Sequence, residues 1–293
     1  MPQNYVFMTD SDSDLYYQIA DERHIQVVRM PYALDGVEYL DDNGRSGNAH
    51  EFFQRMRDGA VPVTSALNME NYLETFEPIL AEGKDILFIA FSSQMSATLN
   101  SARQAREKLL KKYPDRKLVI CDTLRISGPM SILVLMAHDM FLNGASMEEI
   151  ADWVEKNRMR FQAWLTVDDL KYLKRGGRIS STAAFFGSVL DIKPILVLGR
   201  SGKIDPADKV QGRKKALKTL IDKTAQYIED PDKQEVILLQ ADVPEEAARL
   251  REALLTRIPN IKSVRIQDIG PVIGAHCGPG TIAVCFYGRE IDI

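Results

Sequence analysis

Cysteine and histidine are scarce in this chain. Of its 293 residues only three are cysteine, Cys121, Cys277 and Cys285, and only four are histidine. Three widely spaced thiols make neither a disulfide framework nor a zinc knuckle, so the expectation is a reducing, cytoplasmic setting and no metal site. A basic excess is also missing. Lys and Arg total 37 against 41 Asp and Glu, a formal net charge of -4. A dedicated nucleic-acid binder carries a visible surplus of cations, so no nucleic-acid partner is expected. Long apolar runs are absent too. Ile132 to Ala137, six residues, is not exceeded by any other, and His138 and Asp139 close it far short of the roughly 18 residues a membrane span needs. The opening MPQNYVFMTDSDSD has no basic start followed by an apolar stretch, so no signal peptide and no integral membrane segment are expected.

What remains is ordinary globular material, 45% apolar and 27% charged, long enough for about two domains. Short apolar runs alternate with helical periodicity through the first half. Tyr5 to Met8, Asp85 to Phe91 and Lys117 to Cys121 read as strands. Helices are expected from near Met69, kinked or restarted at Pro78, from Met95 to Tyr113, and from Met130 to Leu142. Strands that are apolar throughout and separated by helices predict a parallel sheet covered on both faces. A connecting helix follows from Met147 to Arg160. Beyond it the pattern changes: Pro194 to Leu198 and Lys203-Ile204 flank Gly199-Arg200-Ser201-Gly202 as in a hairpin, and amphipathic helices at Arg213 to Glu229 and Pro244 to Arg257 alternate with further strands. The reading is an α/β chain of two domains. Residues 1–160 form an N-terminal α/β/α parallel-sheet domain, and residues 161–293 form a C-terminal α/β domain with a mixed sheet.

Three segments bear chemistry. Phe91-Ser92-Ser93-Gln94-Met95-Ser96 stands between a buried parallel strand and a helix start, where open α/β sheets bind ligands. A helix N-terminus suits a carboxylate or phosphate, and the same serines would serve equally as caps. Val63-Thr64-Ser65-Ala66 repeats the theme, with Ser65 or Asn68 as the cap. Gly270-Pro271-Val272-Ile273-Gly274-Ala275-His276-Cys277-Gly278-Pro279-Gly280 crowds glycines about one histidine, as a loop able to press a ligand against it. His276 reads as a hydrogen-bond donor to an anion, as a base, or as a structural residue, and Cys277 as small filler. Asp10-x-Asp12-x-Asp14 opens like a calcium loop, but Leu15 stands where glycine is needed and Asp21 where glutamate is needed. Gly176-Gly177-Arg178 lacks the spacing of a phosphate loop. Lys209, Arg213, Lys214, Lys215 and Lys218 form a basic cluster, either a solvated helix face or a dock for an acidic partner.

With these residues in view, the chain resembles the DegV family of bacterial fatty-acid-binding proteins, which includes the binding subunits of fatty acid kinase. TDSDSDL is similar to T-D-S-x-x-D-L. VTSALNMENY keeps Thr64 and Ser65 of a T-S-Q-P-S segment, with Ala66-Leu67 in place of Gln-Pro. FSSQMSATLNSA resembles F-S-S-G-L-S-G-T-Y-x-S-A, and CDTLRISG resembles D-S-x-x-x-S-G with Thr123 for serine. Leu170 to Leu196 follows L-x-x-L-x-x-G-G-R-I-S through I-K-P-I-L almost unchanged, and the Gly270 segment fits I-G-x-V-I-x-x-H-x-G-P-G.

The resemblance implies the two-domain fold reached above and a long-chain fatty acid held between the domains. It implies that Thr64 and Ser93 hydrogen-bond the carboxylate, that His276 completes the polar end and that Ser65 assists. It implies no cofactor and no catalytic residue: the acyl carboxylate is presented to a fatty acid kinase, which forms the acyl phosphate for phospholipid synthesis. The competing expectation is an enzyme acting on a small phosphorylated or acylated substrate through the N-terminal aspartates or His276. Gln94 and Ala97 replace two glycines of the family pattern beside the carboxylate site. Gln211 replaces the arginine of the kinase-binding K-V-R-x-x-K-K-A motif, leaving Lys209, Arg213 and Lys214 as the docking residues.

Overall fold

In the first half of the chain a single helix, apolar around its whole circumference, explains how the molecule is layered. A computed structural model describes residues 4–179 and 191–292. The first half runs β1 (Tyr5–Asp10), α1 (Tyr17–Glu22), β2 (Gln26–Val28), β3 (Pro31–Leu34), β4 (Val37–Leu40), α2 (Ala49–Arg57), β5 (Val63–Thr64), α3 (Met69–Ala81), β6 (Asp85–Ala90), α4 (Thr98–Lys112), β7 (Leu118–Asp122), α5 (Ser127–Leu142) and α6 (Met147–Asn157). Four of these strands form a parallel sheet in the order β2-β1-β6-β7. The period-two pleat divides the side chains of β6 between two cores. Ile86, Phe88 and Ala90 pack with Tyr72, Phe76, Leu99 and Ala102 of α3 and α4, while Leu87 and Ile89 face Leu133, Val134 and Ala137 of α5.

The second half runs β8 (Phe161–Thr166), α7 (Lys171–Gly176), β9 (Ile192–Leu198), β10 (Ile204–Gln211), α8 (Arg213–Tyr227), β11 (Glu235–Gln240), α9 (Pro244–Arg257), β12 (Ser263–Asp268), α10 (Pro271–Cys277) and β13 (Ile282–Tyr287). Its six strands form a mixed sheet ordered β10-β9-β8-β13-β11-β12, in which only β11 and β12 pair in parallel. Trp164, Leu238 and Val284 face α8 and α9 on one side; Leu165, Leu239 and Cys285 on the other join the core that contains α5. A helix buried against both sheets has no polar face to show, which is why Ser127–Leu142 carries no amphipathic stripe. Its first turn lies so close to the mixed sheet that a Cβ on Gly128 would stand 2.7 Å from Cys285 Sγ.

A buried arginine also joins the halves. Arg125, 1% exposed, donates to the carbonyls of Leu198 (3.0 Å), Gly199 (2.7 Å) and Phe161 (3.3 Å).

Several sequence expectations are corrected. α5 begins at Ser127 rather than Met130, because Gly128-Pro129 falls in the first turn, where a missing N–H costs nothing. α3 does not restart at Pro78 but runs through it as one helix. A small antiparallel sheet, β4-β3-β5, was not anticipated, since its strands are only two to four residues long. The glycine-rich segment before β13 is largely helix rather than loop. Pro271 opens α10 at a position that needs no N–H, and Gly278, at φ 78°, ends it. Part of the family-like stretch Leu170 to Leu196, residues 180–190, lies outside the described residues.

Candidate functional site

Threonine and histidine 212 positions apart meet at the junction of the two halves: Thr64 Oγ1 and His276 Nε2 are 2.8 Å apart. Each is held by its element. Thr64 ends β5, whose register against β3 pairs it with Tyr32. His276 sits on α10, which packs on α2, β3, β5 and α7. Glycine makes both approaches possible. A Cβ on Gly274 would stand 2.8 Å from the Phe53 ring, and one on Gly176 would stand 2.3 Å from His276 Nδ1. The imidazole is thus gripped between the backbone of α7 and the Thr64 hydroxyl. Burial, then Arg178 and Arg175, press its pKa down to about 4, so it is neutral near pH 7.

Around this pair lies a cavity of about 180 Å³. Its apolar wall is built from Met30, Phe91, Met95, Ile126, Leu173 and Ile204, and α10 adds Val272 and Ile273. Its polar end carries Thr64, Ser65, Ser96, His276, Asp12 and Arg178. Both halves of the chain contribute. This volume is below the roughly 300–1,000 Å³ usual for small-molecule sites, so a long ligand needs more room than the described residues leave.

The anticipated residues are brought together unevenly. Thr64, Ser65 and His276 line the cavity. Ser65 is free to do so because capping of α3 is done by Asn68, which exchanges side-chain and backbone hydrogen bonds with Asn71. Ser93 does not line it. Its N–H donates to Asp122 Oδ1 (3.2 Å), and its hydroxyl accepts from Gln94 Nε2 (3.3 Å). The serine of that turn that reaches the cavity is Ser96, whose oxygen also accepts the Thr98 N–H (3.2 Å). Ser92 is buried and donates to Gly202 O (2.9 Å), a structural bond between the halves. Gln94 is exposed, and Ala97 borders the cavity. Cys277 is buried and also borders the cavity, its thiol pushed up to about 12 by burial.

Two groups of the polar end escaped the sequence reading. Arg178 was weighed only as part of a failed phosphate loop; its Nε donates to Met95 O (3.2 Å), and its charge is felt by both His276 and Asp12. Its place directly after two glycines, inside the most specific family-like stretch, was the available signal. Asp12 enters the sequence reading only in a failed calcium loop and among the N-terminal aspartates of the enzyme alternative. In the fold Asp10, Asp12, Asp14 and Asp41 are all buried, and among the described residues no group of acidic, histidine or cysteine side chains is placed to hold a metal. Burial comes first in raising all four, with Asp10 and Asp41 at about 7 and Asp14 at about 8. Asp12 is raised above its ordinary value by burial and by Asp10, Asp41 and Asp14, with Arg178 acting against them. Asp10 accepts the Phe91 N–H (2.8 Å), and Asp14 accepts those of Gly270 (3.0 Å) and the Ser127 hydroxyl.

The basic cluster is divided as well. Arg213 is partly buried, ion-paired with Glu246 (2.6 Å) and donating to Gly280 O (2.6 Å), so its guanidinium works within the second half. Lys214 is exposed at the start of α8, and Lys209 is exposed on β10.

Two α/β lobes share a buried helix, and the cavity at their junction is lined by polar and apolar residues of both. The DegV family model, described as "Uncharacterised protein, DegV family", matches residues 5–289, and the chain belongs to this family. A DegV domain-containing protein of Clostridium perfringens is 39% identical over 286 residues, covering 98% of each chain. The fold is that of solved DegV structures. One from Thermus thermophilus, described for its fatty acid binding, superposes with a TM-score of 0.84 at 29% identity, over 98% of this chain and 100% of that one. A Bacillus subtilis DegV, described as a fatty acid binding protein, gives 0.82 at 26%, over 98% and 100%. Among the described residues no helix is long and apolar enough to cross a membrane.

Proposed function

We propose that this protein binds a long-chain fatty acid without transforming it, and presents the carboxylate to a fatty acid kinase of the cytoplasm. The domains are residues 1–160 and 161–293, with the ligand at their junction. The single observation that carries the reading is the Thr64–His276 hydrogen bond at the polar end of an apolar cavity. With a neutral imidazole bearing its proton on Nε2, Thr64 Oγ1 accepts from His276, and its own proton is left to donate to a carboxylate. Ser65 and the cation Arg178 extend the donor set for one anion, while Ser93, carried over from the family resemblance, stands on the neighbouring turn outside the cavity. Hydrogen bonds to a charged group contribute about 1.5–3 kcal/mol each. Each buried methylene of the acyl chain adds about 0.8 kcal/mol before ordering costs. The solved relatives described as fatty-acid binders support the ligand class.

Native mass spectrometry of the purified chain should reveal a co-purifying mass equal to a fatty acid. Thr64→Ala and His276→Ala should each weaken its binding by about 1–3 kcal/mol in calorimetry, with substoichiometric metal by elemental analysis. Unchanged affinity in both folded variants, or turnover of a phosphate ester by an empty protein, overturns the reading.

A further inference from the structure

One buried acid of the cavity is unpaired. Asp12 lines the cavity and is 4% exposed, yet its Oδ1 has no hydrogen-bond partner. Asp10 and Asp41 also carry an unpaired buried oxygen, but neither borders this cavity. A buried carboxyl oxygen without a donor is destabilising, and a bound group that donates to it removes that penalty. Thr64, Ser65 and His276 serve the head group, and Asp12 takes no part in it. In T-D-S-x-x-D-L it falls on an unspecified position.

Asp12 stands where the polar end meets the apolar wall. It is central in the turn Ser11–Ser13 that follows β1. Its neighbours fasten that turn to the wall. Ser11 Oγ accepts the Met30 N–H (2.9 Å), and Asp10 Oδ2 accepts the Phe91 N–H (2.8 Å). Met30 and Phe91 both line the cavity, so the turn cannot carry Asp12 away without breaking two buried bonds. Arg178, the cation of the lining, does not complete the carboxyl. Its Nε and Nη1 donate to Met95 O and Gly176 O, and no hydrogen bond reaches Asp12 Oδ1.

The complementary group is therefore uncharged. A second anion at this point meets the field of Asp10, Asp14 and Asp41 as Asp12 does, and a cation shares the cavity with Arg178. A hydroxyl meets neither penalty. It donates and accepts, so it pairs with the carboxyl whether or not the carboxyl holds a proton. A plain acyl chain offers no donor and leaves Oδ1 buried and unpaired.

We propose that Asp12 reads a hydroxyl on the acyl chain, so that the preferred ligand is a hydroxylated fatty acid rather than an unsubstituted one. This rests on the fatty-acid reading of the cavity and narrows its ligand class. Thr64 and His276 hold the carboxylate, Met30, Phe91 and Ile126 receive methylenes, and Asp12 Oδ1 receives the hydroxyl proton. A site built to bond a hydroxyl discriminates strongly against the analogue that lacks it, because its own polar group is then left unpaired.

Calorimetry of the full, delipidated chain with stearate and a series of hydroxystearates, the hydroxyl moved stepwise along the chain, tests this. The expected result is that one isomer, or a run of neighbouring isomers, binds about tenfold or more tighter than stearate. Asp12→Leu should abolish that preference and bind stearate at least as well as the wild type. Asp12→Ala serves in its place if the leucine variant does not fold. Asp12→Asn, which keeps an acceptor at the same point, should retain most of the preference. Stearate bound as tightly as every isomer overturns the inference and leaves the fatty-acid reading standing. A preference undiminished in folded Asp12→Leu or Asp12→Ala overturns it as well. No binding of stearate or of any isomer removes the fatty-acid reading, and this inference with it.

Discussion

Asp14 shows how one residue's role inverts between sequence and fold. Third in an Asp-x-Asp-x-Asp run, it has the composition of a cation ligand. In the structure it is a buried acceptor that pins the Gly270 N–H, and burial raises its pKa from 3.8 to about 8. The folded protein therefore holds a proton that the unfolded chain has released above pH 3.8, and stability is lost as pH rises from about 4 toward 8. His276 acts in the opposite sense at the acid end. Its folded pKa of about 4 lies below the ordinary 6.5, so its contribution grows as pH rises between those values. Above pH 6.5 only the carboxyl effect remains. Urea unfolding across pH 6.5 to 8 should show falling stability in the wild type and a flatter profile in Asp14→Asn, which keeps the acceptor but cannot ionise. A parallel profile in the variant would remove Asp14 from the account.

At the scale of elements, the site depends on how closely α7 and α10 approach. Gly176 has no Cβ because His276 Nδ1 occupies that space. Gly176→Ala should push α7 off α10, costing about 1–3 kcal/mol as overpacking does. It should also weaken fatty-acid binding through loss of the Thr64–His276 geometry. Ala substitution at Gly36, where nothing lies within 4 Å, strains only a turn at φ 80° and should leave binding intact. The helix that opens at Arg213 is a second test. Its arginine is bonded within the fold, whereas Lys214 is exposed. Arg213→Glu should place a like charge against Glu246 and lower the melting temperature. Lys214→Glu should leave the melting temperature alone and reduce kinase-dependent phosphorylation of bound fatty acid at low salt, the screening length being about 10 Å at 0.1 M. An unaltered phosphorylation rate in Lys214→Glu would make the cluster a solvated helix face.

For the whole molecule, the core runs from β6 through α5 to the mixed sheet, so the two halves are expected to unfold as one cooperative unit. Arg125 reinforces it by satisfying three carbonyls of the second half from a loop of the first. Arg125→Leu removes one donor from each of these carbonyls, while Gly199 O keeps the Gly202 N–H (3.2 Å), and should cost about 1–3 kcal/mol. Trp153 on α6 and Trp164 on β8 report on the two halves separately. Single-tryptophan proteins should unfold with one shared midpoint in the wild-type background and at a lower denaturant concentration in Arg125→Leu. Two separated midpoints in the wild type would mean that the halves unfold independently.

Sequence alone determined the α/β class, the parallel strands β1, β6 and β7, the hairpin of β9 and β10, and the family, because these rest on local patterns. A continuous apolar run marks a strand buried on both faces. Gly199 to Gly202 marks a turn, and Glu235–Gln240 and Pro244–Arg257 carry their own boundaries. Asn68 was legible as one of two candidate caps, with Ser65, for the same reason, and the structure chose Asn68. Only the tertiary structure decided that Ser96 rather than Ser93 borders the cavity and that Arg178 and Asp12 belong to it. It also decided that a glycine-rich segment is a helix. These outcomes depend on which side of a turn faces inward, and on how near two helices come when glycine removes a Cβ. The 2.8 Å contact between Thr64 and His276 spans 212 positions of chain. No local spacing records such a distance, because it is set by the packing of α10 against α2, β3, β5 and α7 together.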